Sequence, residues 1–352
     1  MSYFLVMAGG TGGHVMPALC FAECARERGH RLSWLGTAAG LEARLVPAAG
    51  LELATIDMAG VRGRGVGGWL AAPFRLARAL WQVLCLLRRR RPDLVIGFGG
   101  YSSAPGGLAA KLLRVPLVIH EQNAVAGTAN RLLARMADRV LCGLADVLPR
   151  ARVVGNPVRA AIFAVARARA EAGRVRLLVL GGSLGARFLN QTLPHALAAM
   201  PAAERPQVRH QAGEQAVQET RDAYAAAGVE AEVVPFIDVM VAAYEWADLA
   251  VCRAGAMTVA ELAAAGLPAL LVPYPHAIDD HQSANAQVLV RAGAAQVYRQ
   301  DEAGLDAFAA RLRELLVDGE KRRGMGRAAR ACARPQAAAD MVRICEELAH
   351  VP

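Results

Sequence analysis

The stretch YFLVMAGGTGGH, residues 3–14, joins a short apolar run to a cluster of glycines. The stretch LLVLGGSLGA, residues 177–186, repeats this arrangement in the second half of the chain. Each apolar run predicts a buried strand, and each glycine cluster predicts a tight turn that opens a helix. Backbone N–H groups and the positive end of the helix dipole make such a turn a site for phosphate. Two turns of this kind predict two nucleotide-type folds facing one cleft.

The size and composition of the chain predict two domains that combine helices and sheets. The chain has 352 residues, which is more than one core usually holds. Hydrophobic residues make up 55% of it and aromatic residues 5%, which excludes a disordered chain. The formal net charge of +9 comes almost entirely from arginine. A compositional bias and attraction to an anionic surface or substrate remain alternative interpretations of this charge.

The cysteines and the N-terminal sequence indicate the cellular compartment in which we expect the protein. The 7 cysteines are scattered and lack paired CxxC spacing, which indicates a reducing compartment and argues against a zinc site. The N-terminus enters a predicted strand without a signal sequence, and no apolar span is long enough to cross a membrane. We therefore expect a cytoplasmic protein.

Short apolar runs alternate with helix-like stretches along the whole chain. The predicted strands of the first half are residues 4–7, 32–35, 94–96, 117–119, 139–141 and 152–154. Those of the second half are residues 176–180, 207–210, 232–234, 249–251, 269–272 and 295–298. The alternation predicts two open, mostly parallel sheets with helices on both faces. The turn at Asn156-Pro157 is the predicted hinge, and the amphipathic run 337–348 is expected to return to the first domain.

Residues 69–91 combine tryptophan, leucine and arginine and end in four consecutive arginines. Such a segment is typical of a helix that lies on an anionic bilayer. An ordinary crossover helix with a solvated basic end is the alternative. No nucleic-acid reader motif accompanies the charge, so we expect no nucleic-acid partner. The predicted membrane contacts are Trp69, Phe74, Trp81, Arg88, Arg89, Arg90 and Arg91.

Polar residues follow several predicted strands and are candidates for chemistry. His14 ends the first glycine turn, where an imidazole can act as a general base or donate to a phosphate. The run HEQN, residues 120–123, is poorly suited to a core and suits a ligand crevice. Glu261 lies in a helix start and could bridge the two hydroxyls of a ribose. Because the chain has no Asp-x-Asp pair, we expect amides, helix dipoles and arginines to meet phosphate charge without a metal.

Several motifs stand in order along nearly the whole chain. They are GGTGGH at 9–14, GFGGYSSAP at 97–105, HEQN at 120–123, GNPVR at 155–159, GGSLGA at 181–186, RAGAMTVAE at 253–261 and DDHQ at 279–282. Together they resemble the MurG family of bacterial enzymes, which transfer N-acetylglucosamine (GlcNAc) from UDP-GlcNAc to lipid I. The product of that reaction is lipid II, a precursor of the peptidoglycan cell wall.

The resemblance implies an α/β chain of the GT-B fold class, with two Rossmann-like doubly wound domains separated by a deep cleft. Residues 1–158 would form the acceptor and membrane-binding domain. Residues 159–335 would form the donor-binding domain, and a helix within 336–352 would pack back on the first domain. Two positions depart from the family, since Leu184 stands where glutamine is frequent and Met257 where leucine is frequent.

The resemblance also assigns residues to the substrates. Asn123 would contact the donor sugar or the acceptor, Ile237 would present its backbone to uracil, Glu261 would take the ribose hydroxyls, and Gln282 would read the GlcNAc hydroxyls. The full implied substrate-binding set is Thr11, Gly12, Gly13, Asn123, Arg159, Ser183, Ile237, Ala256, Met257, Thr258, Val259, Ala260, Glu261 and Gln282.

The implied reaction is an inverting single displacement by the C4 hydroxyl of the muramyl sugar. His14 is the candidate base, and Glu121 lies in a neighbouring motif that could supply it instead. The expected partners are UDP-GlcNAc, lipid I, an anionic membrane surface and other cell-wall synthesis proteins, with no cofactor. The expected location is the cytoplasmic face of the inner membrane. A transferase for another lipid and a UDP-GlcNAc epimerase are the alternatives, whereas the glycine spacing argues against a dinucleotide oxidoreductase.

Overall fold

The chain forms two compact units. The computed structural model describes residues 1–58, 65–165, 173–182, 185–300 and 304–349, and of residues 65–72 and 278 it describes only the backbone. Unit 1 comprises Met1–Val158 and Arg334–Pro352, and unit 2 comprises Arg159–Ala333. Of the predicted site residues, Ser183 and the side chain of Trp69 lie outside the described part of the chain.

Unit 1 contains a parallel sheet of seven strands in the part of the chain that the structure describes, in the order β3-β2-β1-β4-β5-β6-β7. The strands are β1 (Tyr3–Ala8), β2 (Arg31–Gly36), β3 (Leu53–Thr55), β4 (Leu94–Gly99), β5 (Leu117–Glu121), β6 (Arg139–Cys142) and β7 (Arg152–Val153). The helices are α1 (Gly12–Glu27), α2 (Glu42–Ala48), α3 (Gly65–Arg90), α4 (Ser103–Leu112), α5 (Thr128–Leu133) and, at the end of the chain, α14 (Ala337–Ala349).

Alternating side chains of β1 explain why helices cover both faces of this sheet. Phe4 and Val6 lie in a core with side chains from α1 and α14, whereas Leu5 and Met7 lie in a second core with side chains from α3 and α4. Both sets are almost completely buried. A strand buried on both faces appears in the sequence as a continuous apolar run, as residues 3–8 do.

Unit 2 repeats the plan with six described strands in the order β10-β9-β8-β11-β12-β13, all parallel. The strands are β8 (Arg176–Leu180), β9 (Gln207–Gln211), β10 (Glu232–Val234), β11 (Leu249–Cys252), β12 (Ala269–Leu271) and β13 (Ala295–Val297). The helices are α6 (Ala160–Phe163), α7 (Arg187–Ala198), α8 (Val217–Ala226), α9 (Met240–Trp246), α10 (Ala256–Ala265), α11 (His281–Arg291), α12 (Leu305–Val317) and α13 (Gly319–Ala331). Short 3-10 helices cover Ala202–Glu204 and Ile278–Asp280.

Every strand predicted from the sequence is observed. The one described strand that the prediction omitted is β3, a short edge strand that pairs with β2 and is only partly buried. Its residues, Leu53-Ala54-Thr55, form too short an apolar run to stand out.

The final helix, α14, packs against α1 in unit 1. Met341, Ile344 and Cys345 are buried in the core they share with α1 and β1. At the edge of this contact the Glu346 carboxylate accepts hydrogen bonds from Arg28 Nε at 3.0 Å and Nη2 at 2.7 Å. It also bonds His30 Nε2 at 2.8 Å. Arg28 is the main reason that the pKa of Glu346 falls to about 2.

Among the described residues, no helix is both long enough and apolar enough to cross a membrane.

We predict that Glu346→Gln lowers the free energy of unfolding by about 1 kcal/mol at pH 7, because a bidentate arginine contact at a partly exposed site is lost. The depressed pKa means that this contribution is present above the ordinary carboxyl pKa and is lost as the pH falls towards about 2. Urea unfolding at several pH values measures the difference. Glu347→Gln on the same helix, which removes an exposed pair with Arg343, is the matched control. An equal effect of both variants would contradict the prediction.

Candidate active site

Each sheet has one point where the strand order reverses. In unit 1 this point lies between β1 and β4, and in unit 2 it lies between β8 and β11. In open parallel sheets, ligands bind beyond the carboxyl ends of the strands at such a point. The first glycine turn follows β1, and the second follows β8. The topology therefore puts both glycine turns where a nucleotide-type fold holds its ligand.

The first glycine turn is packed closely against the loop that follows β4. A Cβ atom on Gly100 would lie 2.2 Å from the carbonyl oxygen of Gly9, and one on Gly99 would lie 2.9 Å from Nε2 of His14. Both glycines also have positive φ angles, +106° for Gly99 and +88° for Gly100. Larger residues would push the two loops apart. Gly99 and Gly100 therefore leave the space that His14 and the first glycine turn occupy.

His14 lies in the first turn of α1 and is partly exposed. Its Nδ1 atom is 3.3 Å from the carbonyl oxygen of Gly9. A carbonyl oxygen only accepts, so this contact requires a proton on Nδ1. In the neutral ring the lone pair is then on Nε2. This is the tautomer that a general base acting through Nε2 requires.

Glu42, at the start of α2, fixes the first glycine turn by a hydrogen bond. Its side chain is completely buried, and its Oε2 accepts the Gly10 N–H at 2.9 Å. Its Oε1 accepts the N–H and the hydroxyl of Thr37 at 2.9 and 2.7 Å. A Cβ atom on Gly9 would lie 2.6 Å from this carboxylate, and one on Gly40 would lie 2.0 Å from it. Part of the glycine pattern therefore makes room for a buried carboxylate and does not serve a ligand directly.

The turn after β2 is also where dinucleotide-binding folds place a carboxylate for the ribose. In unit 1 the carboxylate of this region, Glu42, is turned inward and bonded at both oxygens. This geometry removes the ribose ligand that a dinucleotide oxidoreductase would need in unit 1.

The prediction that the HEQN run lines a crevice is wrong for three of its four residues. His120, Glu121 and Gln122 are buried, at 0%, 2% and 0% exposure, and only Asn123 is partly exposed. His120 Nε2 donates to the carbonyl of Gly155 at 2.9 Å, and burial lowers the pKa of His120 to about 4. Polar side chains tolerate such burial because each has partners.

Glu121 positions Asn123. Its Oε1 accepts from the backbone N–H of Asn123 at 2.9 Å and from Asn123 Nδ2 at 3.1 Å. Its Oε2 accepts from the Gly127 N–H at 3.1 Å and from Asn130 Nδ2 at 2.9 Å. A buried carboxylate with four donors is an anchor for its loop. The alternative in which Glu121 supplies the base is therefore not supported by the geometry.

The second glycine turn is tied to Ile237 by one side chain. Gln211, the last residue of β9, donates from Nε2 to the carbonyl of Gly182 at 2.9 Å and accepts the Ile237 N–H on Oε1 at 3.1 Å. A Cβ atom on Gly185 would lie 2.1 Å from the carbonyl oxygen of Ala212. The turn after β8 and the loop after β10 are thus fixed together, and both carry residues that the sequence assigned to the donor.

Glu261 lies in α10 with its side chain 14% exposed. The hydroxyl of Tyr244 on α9 donates to Glu261 Oε2 at 2.8 Å, and Arg159 Nη2 lies 4.0 Å from Oε1. Burial raises the pKa of Glu261, and Tyr244 and Arg159 both act in the opposite direction. The predicted residues Arg159 and Glu261 are therefore brought together in unit 2, with Tyr244 as a third member of the group.

The first turn of α10 presents backbone N–H groups at the carboxyl end of β11. Ala256, Met257 and Val259 have buried side chains, and Thr258 and Ala260 are partly exposed. The Val259 N–H already donates to the Gly255 carbonyl at 2.9 Å. The amides that lack an acceptor within the helix are those of its first residues. Within the described helix α10, the N–H groups that remain for a diphosphate are therefore those of Ala256, Met257 and Thr258.

Gln282, in the first turn of α11, is partly exposed, and its Oε1 accepts the N–H of Tyr274 at 2.9 Å. This contact fixes the side-chain amide beside the loop that follows β12. Asp279 and Asp280 precede α11 with left-handed backbone angles. The part of the chain that the structure describes contains no group of three His, Cys, Asp or Glu side chains that could hold a metal ion.

Helix α3, which carries the predicted membrane contacts, has one buried face and one exposed face. Val83 and Leu87 are buried in the core under the sheet. Phe74 and Trp81 are 79% and 65% exposed, and Arg88 is exposed at the same seven-residue spacing. Residues seven apart on a helix lie on one face.

The remaining arginines at the end of α3 differ in their surroundings. Arg89 and Arg91 are exposed, whereas the guanidinium of Arg90 pairs with the carboxylate of Glu52. The alternative of an ordinary crossover helix therefore holds for the inner face of α3 and for Arg90.

Comparison with known proteins decides the family. The model described as "Glycosyltransferase family 28 N-terminal domain" matches residues 4–142, and "Glycosyltransferase family 28 C-terminal domain" matches residues 176–341. A UDP-N-acetylglucosamine--N-acetylmuramyl-(pentapeptide) pyrophosphoryl-undecaprenol N-acetylglucosamine transferase from Alkalilimnicola ehrlichii is 55% identical over 97% of this chain and 98% of its own length. The enzyme of the same name from Stutzerimonas stutzeri is 54% identical, with 98% of each chain covered. The chain belongs to the MurG family of glycosyltransferases.

A solved structure agrees with this membership. The crystal structure of Acinetobacter baumannii MurG superposes with a TM-score of 0.84 at 38% identity, covering 99% of this chain and 100% of that one. The predicted fold class, two Rossmann-like doubly wound domains of the GT-B type, is confirmed. Spinosyn rhamnosyltransferase SpnG complexed with thymidine diphosphate shares the fold at a TM-score of 0.65 and 18% identity.

Three residues of this MurG-family chain escaped the sequence analysis: Glu42, Gln211 and Tyr244. Each is buried, and each bonds a predicted site residue or its loop from a distant point in the chain. For Glu42 the signal was present, because a carboxylate so close to Gly36 and Gly40 suggests a crowded turn. Gln211 and Tyr244 occupy ordinary positions on a strand and a helix, and their sequence context carries no such signal.

We predict that Glu42→Gln lowers the free energy of unfolding by about 2 kcal/mol. The substituted amide turns an N–H group towards either Gly10 or Thr37, and a buried donor without an acceptor costs about 1–3 kcal/mol. Urea unfolding measures the loss, and hydrogen exchange at the Gly10 amide should become faster. Glu23→Gln, at an exposed position on α1, should change stability by less than about 0.5 kcal/mol. Unchanged exchange at Gly10 would contradict the assigned contact.

Proposed function

We propose that this chain transfers GlcNAc from UDP-GlcNAc to the C4 hydroxyl of the muramyl sugar of lipid I, forming lipid II. The observation that carries the proposal is identity above half over nearly the whole length with transferases of that name. The glycine turns that carry the motifs follow β1 and β8 at the points where the strand order reverses, and this supports the proposal because open parallel sheets bind ligands there.

On the donor side, we propose that unit 2 binds UDP-GlcNAc. The Glu261 carboxylate would take the ribose hydroxyls, and the backbone of Ile237 would face uracil. Both positions are fixed by buried partners, Tyr244 and Gln211. Gln282 would read the sugar hydroxyls through its amide, and Arg159 would approach the phosphates, with Ser183 and the turn that contains it nearby.

The diphosphate would lie at the N-terminus of α10, on the amides of Ala256, Met257 and Thr258. Helix N-termini stabilise negative charge through these N–H groups and through the helix dipole. Charge that grows on the leaving UDP is then met by groups already oriented before the reaction.

On the acceptor side, we propose that unit 1 binds lipid I through the turn of Thr11, Gly12 and Gly13, with Asn123 near the reacting sugars. His14 would accept the proton of the C4 hydroxyl on Nε2 as oxygen attacks the anomeric carbon. The C–O bond to UDP breaks on the opposite face, so an α-linked donor becomes a β-linked product. The Gly9 contact at Nδ1 keeps the tautomer that this step requires.

We further propose that the outer face of α3 binds the anionic surface that carries lipid I. Phe74 and Trp81 provide exposed apolar area, and Arg88, Arg89 and Arg91 provide exposed positive charge beside them. Aromatic side chains and arginines on one helix face are typical of interfacial helices. The enzyme would thus work at the cytoplasmic face of the membrane, where other cell-wall synthesis proteins could hand on its substrate.

Transfer of label from radiolabelled UDP-GlcNAc to a lipid I analogue tests the function, with and without EDTA. Labelled lipid product in both conditions supports the reaction and the metal-free diphosphate site. Product only without EDTA would overturn the metal-free part. No product, with the donor bound, would favour another acceptor lipid, and a 2-epimer formed without acceptor would identify an epimerase.

We predict that His14→Ala lowers kcat at least about tenfold and leaves the KM for UDP-GlcNAc nearly unchanged, because a general base acts mainly in the transition state. Steady-state kinetics with a soluble lipid I analogue measures both constants. His195→Ala, at an exposed position on α7, is the control and should match the original enzyme. An unchanged kcat for His14→Ala would remove this residue from the chemistry.

We predict that Trp81→Ser and Arg88→Ser each weaken binding to phosphatidylglycerol vesicles, the arginine change by about fivefold, because one basic residue near an anionic surface contributes about 1 kcal/mol. Vesicle sedimentation measures binding, and activity on a soluble acceptor analogue should remain. Val317→Ser removes a side chain that is 62% exposed in unit 2 and is the matched control. Equal binding by all variants would show that α3 is an ordinary crossover helix and does not bind the membrane.

A further inference from the structure

Tyr244 places a hydroxyl group against Glu261 from inside unit 2. The side chain is 1% exposed and belongs to α9, a different helix from the one that carries Glu261. Its hydroxyl donates to Oε2 at 2.8 Å. The glutamate side chain is itself only 14% exposed, so the hydrogen bond joins a fully buried hydroxyl to a largely buried carboxylate. The hydroxyl is therefore placed to fix the carboxylate and not to meet a ligand.

The groups around Glu261 differ in what they can do for it. Arg159, just before α6, lies 4.0 Å from Oε1 and is itself partly exposed. From α11, the Asn285 amide donates to the carbonyl of Ala254 at 3.2 Å. From α13, Arg330 bonds the carbonyls of Ala264 and Ala265 at the far end of α10. Among these groups, Tyr244 is the one that makes a short hydrogen bond to the carboxylate.

A buried carboxylate needs such a partner to remain ionised. Burial raises the pKa of Glu261, whereas the bond from Tyr244 lowers it. Burial and the neighbouring carboxylate raise the pKa of the Tyr244 phenol well above its ordinary value, so the phenol keeps its proton and remains a donor. Each carboxylate oxygen can accept more than one hydrogen bond. The Tyr244 contact therefore leaves capacity for two further donors, such as the 2′- and 3′-hydroxyls of a ribose.

We propose that Tyr244 is a positioning residue that holds Glu261 in the orientation that recognises a ribonucleoside diphosphate. The inference rests on the proposed function of Glu261 as the ribose ligand. It adds that selectivity for ribose over deoxyribose depends on a hydroxyl that touches no substrate. Removing that hydroxyl leaves the packing of α9 in place and frees the carboxylate to turn.

Calorimetric binding of UDP and 2′-deoxy-UDP to the full chain tests the proposal. The original protein should prefer UDP about tenfold or more, since a hydrogen bond to a charged group has a value of that order. In Tyr244→Phe the preference should fall to about threefold or less, with UDP binding weakened and 2′-deoxy-UDP binding nearly unchanged. A purely structural role would weaken both ligands equally and leave the ratio intact, and that result would overturn the proposal.

Two further variants make the test specific. Tyr224→Phe removes another buried phenol of unit 2, whose hydroxyl bonds His210 at 3.0 Å, and should leave the preference unchanged. Glu261→Gln should lose the preference by itself, and adding Tyr244→Phe to it should change the ratio by less than about twofold. A second large loss in the double variant would show that Tyr244 acts independently of Glu261.

Kinetics separates this inference from the proposed function. In Tyr244→Phe, the KM for UDP-GlcNAc should rise about fivefold or more while kcat changes less than about twofold, because ribose binding is shared by the ground and transition states. If the original enzyme transfers no GlcNAc, the proposed function fails whatever Tyr244 does. If it transfers GlcNAc and the KM of Tyr244→Phe is unchanged, the function stands and the positioning role is overturned.

Discussion

A glycine turn has no side chains of its own to hold its shape, so other residues must fix its backbone. In both units a single buried polar residue does this. Glu42 accepts the Gly10 N–H from the connection after β2, and Gln211 donates to the Gly182 carbonyl from the end of β9. These two connections follow equivalent strands, since β2 neighbours β1 and β9 neighbours β8. Each unit thus fixes its ligand turn from the same side.

These contacts change how the glycine pattern of the first turn is interpreted. The Glu42 carboxylate leaves no room for a side chain at Gly9 or Gly40. The carbonyl oxygen of Gly9 leaves none at Gly100. The Gly10 amide donates inward and is not available to a phosphate. In the proposed function, an anion at the first turn would therefore be met by the amides at the start of α1, next to His14. A glycine-rich sequence indicates close backbone approach, and only the structure distinguishes approach to a ligand from approach to a neighbouring side chain.

The histidines show how burial decides chemical role. Burial lowers the pKa of His120 to about 4 and that of His210 to about 3. Both rings are therefore neutral at physiological pH, and each joins two partners by hydrogen bonds: Gly155 and Gln122 for His120, Tyr224 and Asn190 for His210. His14 differs because it stands in the first turn of a helix and is partly exposed. Of these three rings, only His14 has the exposure that the proposed proton transfer needs.

These contacts explain which features of the structure could be predicted from the sequence and which could not. The continuous apolar runs revealed the central strands, because a parallel strand covered on both faces has no polar side. They missed β3, whose partly buried edge position needs no such run. The HEQN run misled because His120 and Glu121 find partners in Gly155, Gly127 and Asn130, which are not adjacent to the run in sequence. Gly10 and Glu42 are 32 positions apart, and Tyr244 and Glu261 are 17 apart, so no local pattern could reveal those contacts. The group around Glu261 lies within unit 2, and His14 with its neighbouring glycines lies within unit 1. In the proposed function, donor recognition and proton removal would therefore each be organised by a separate core. Substitutions in the first group should therefore act mainly on donor affinity, and those in the second mainly on turnover.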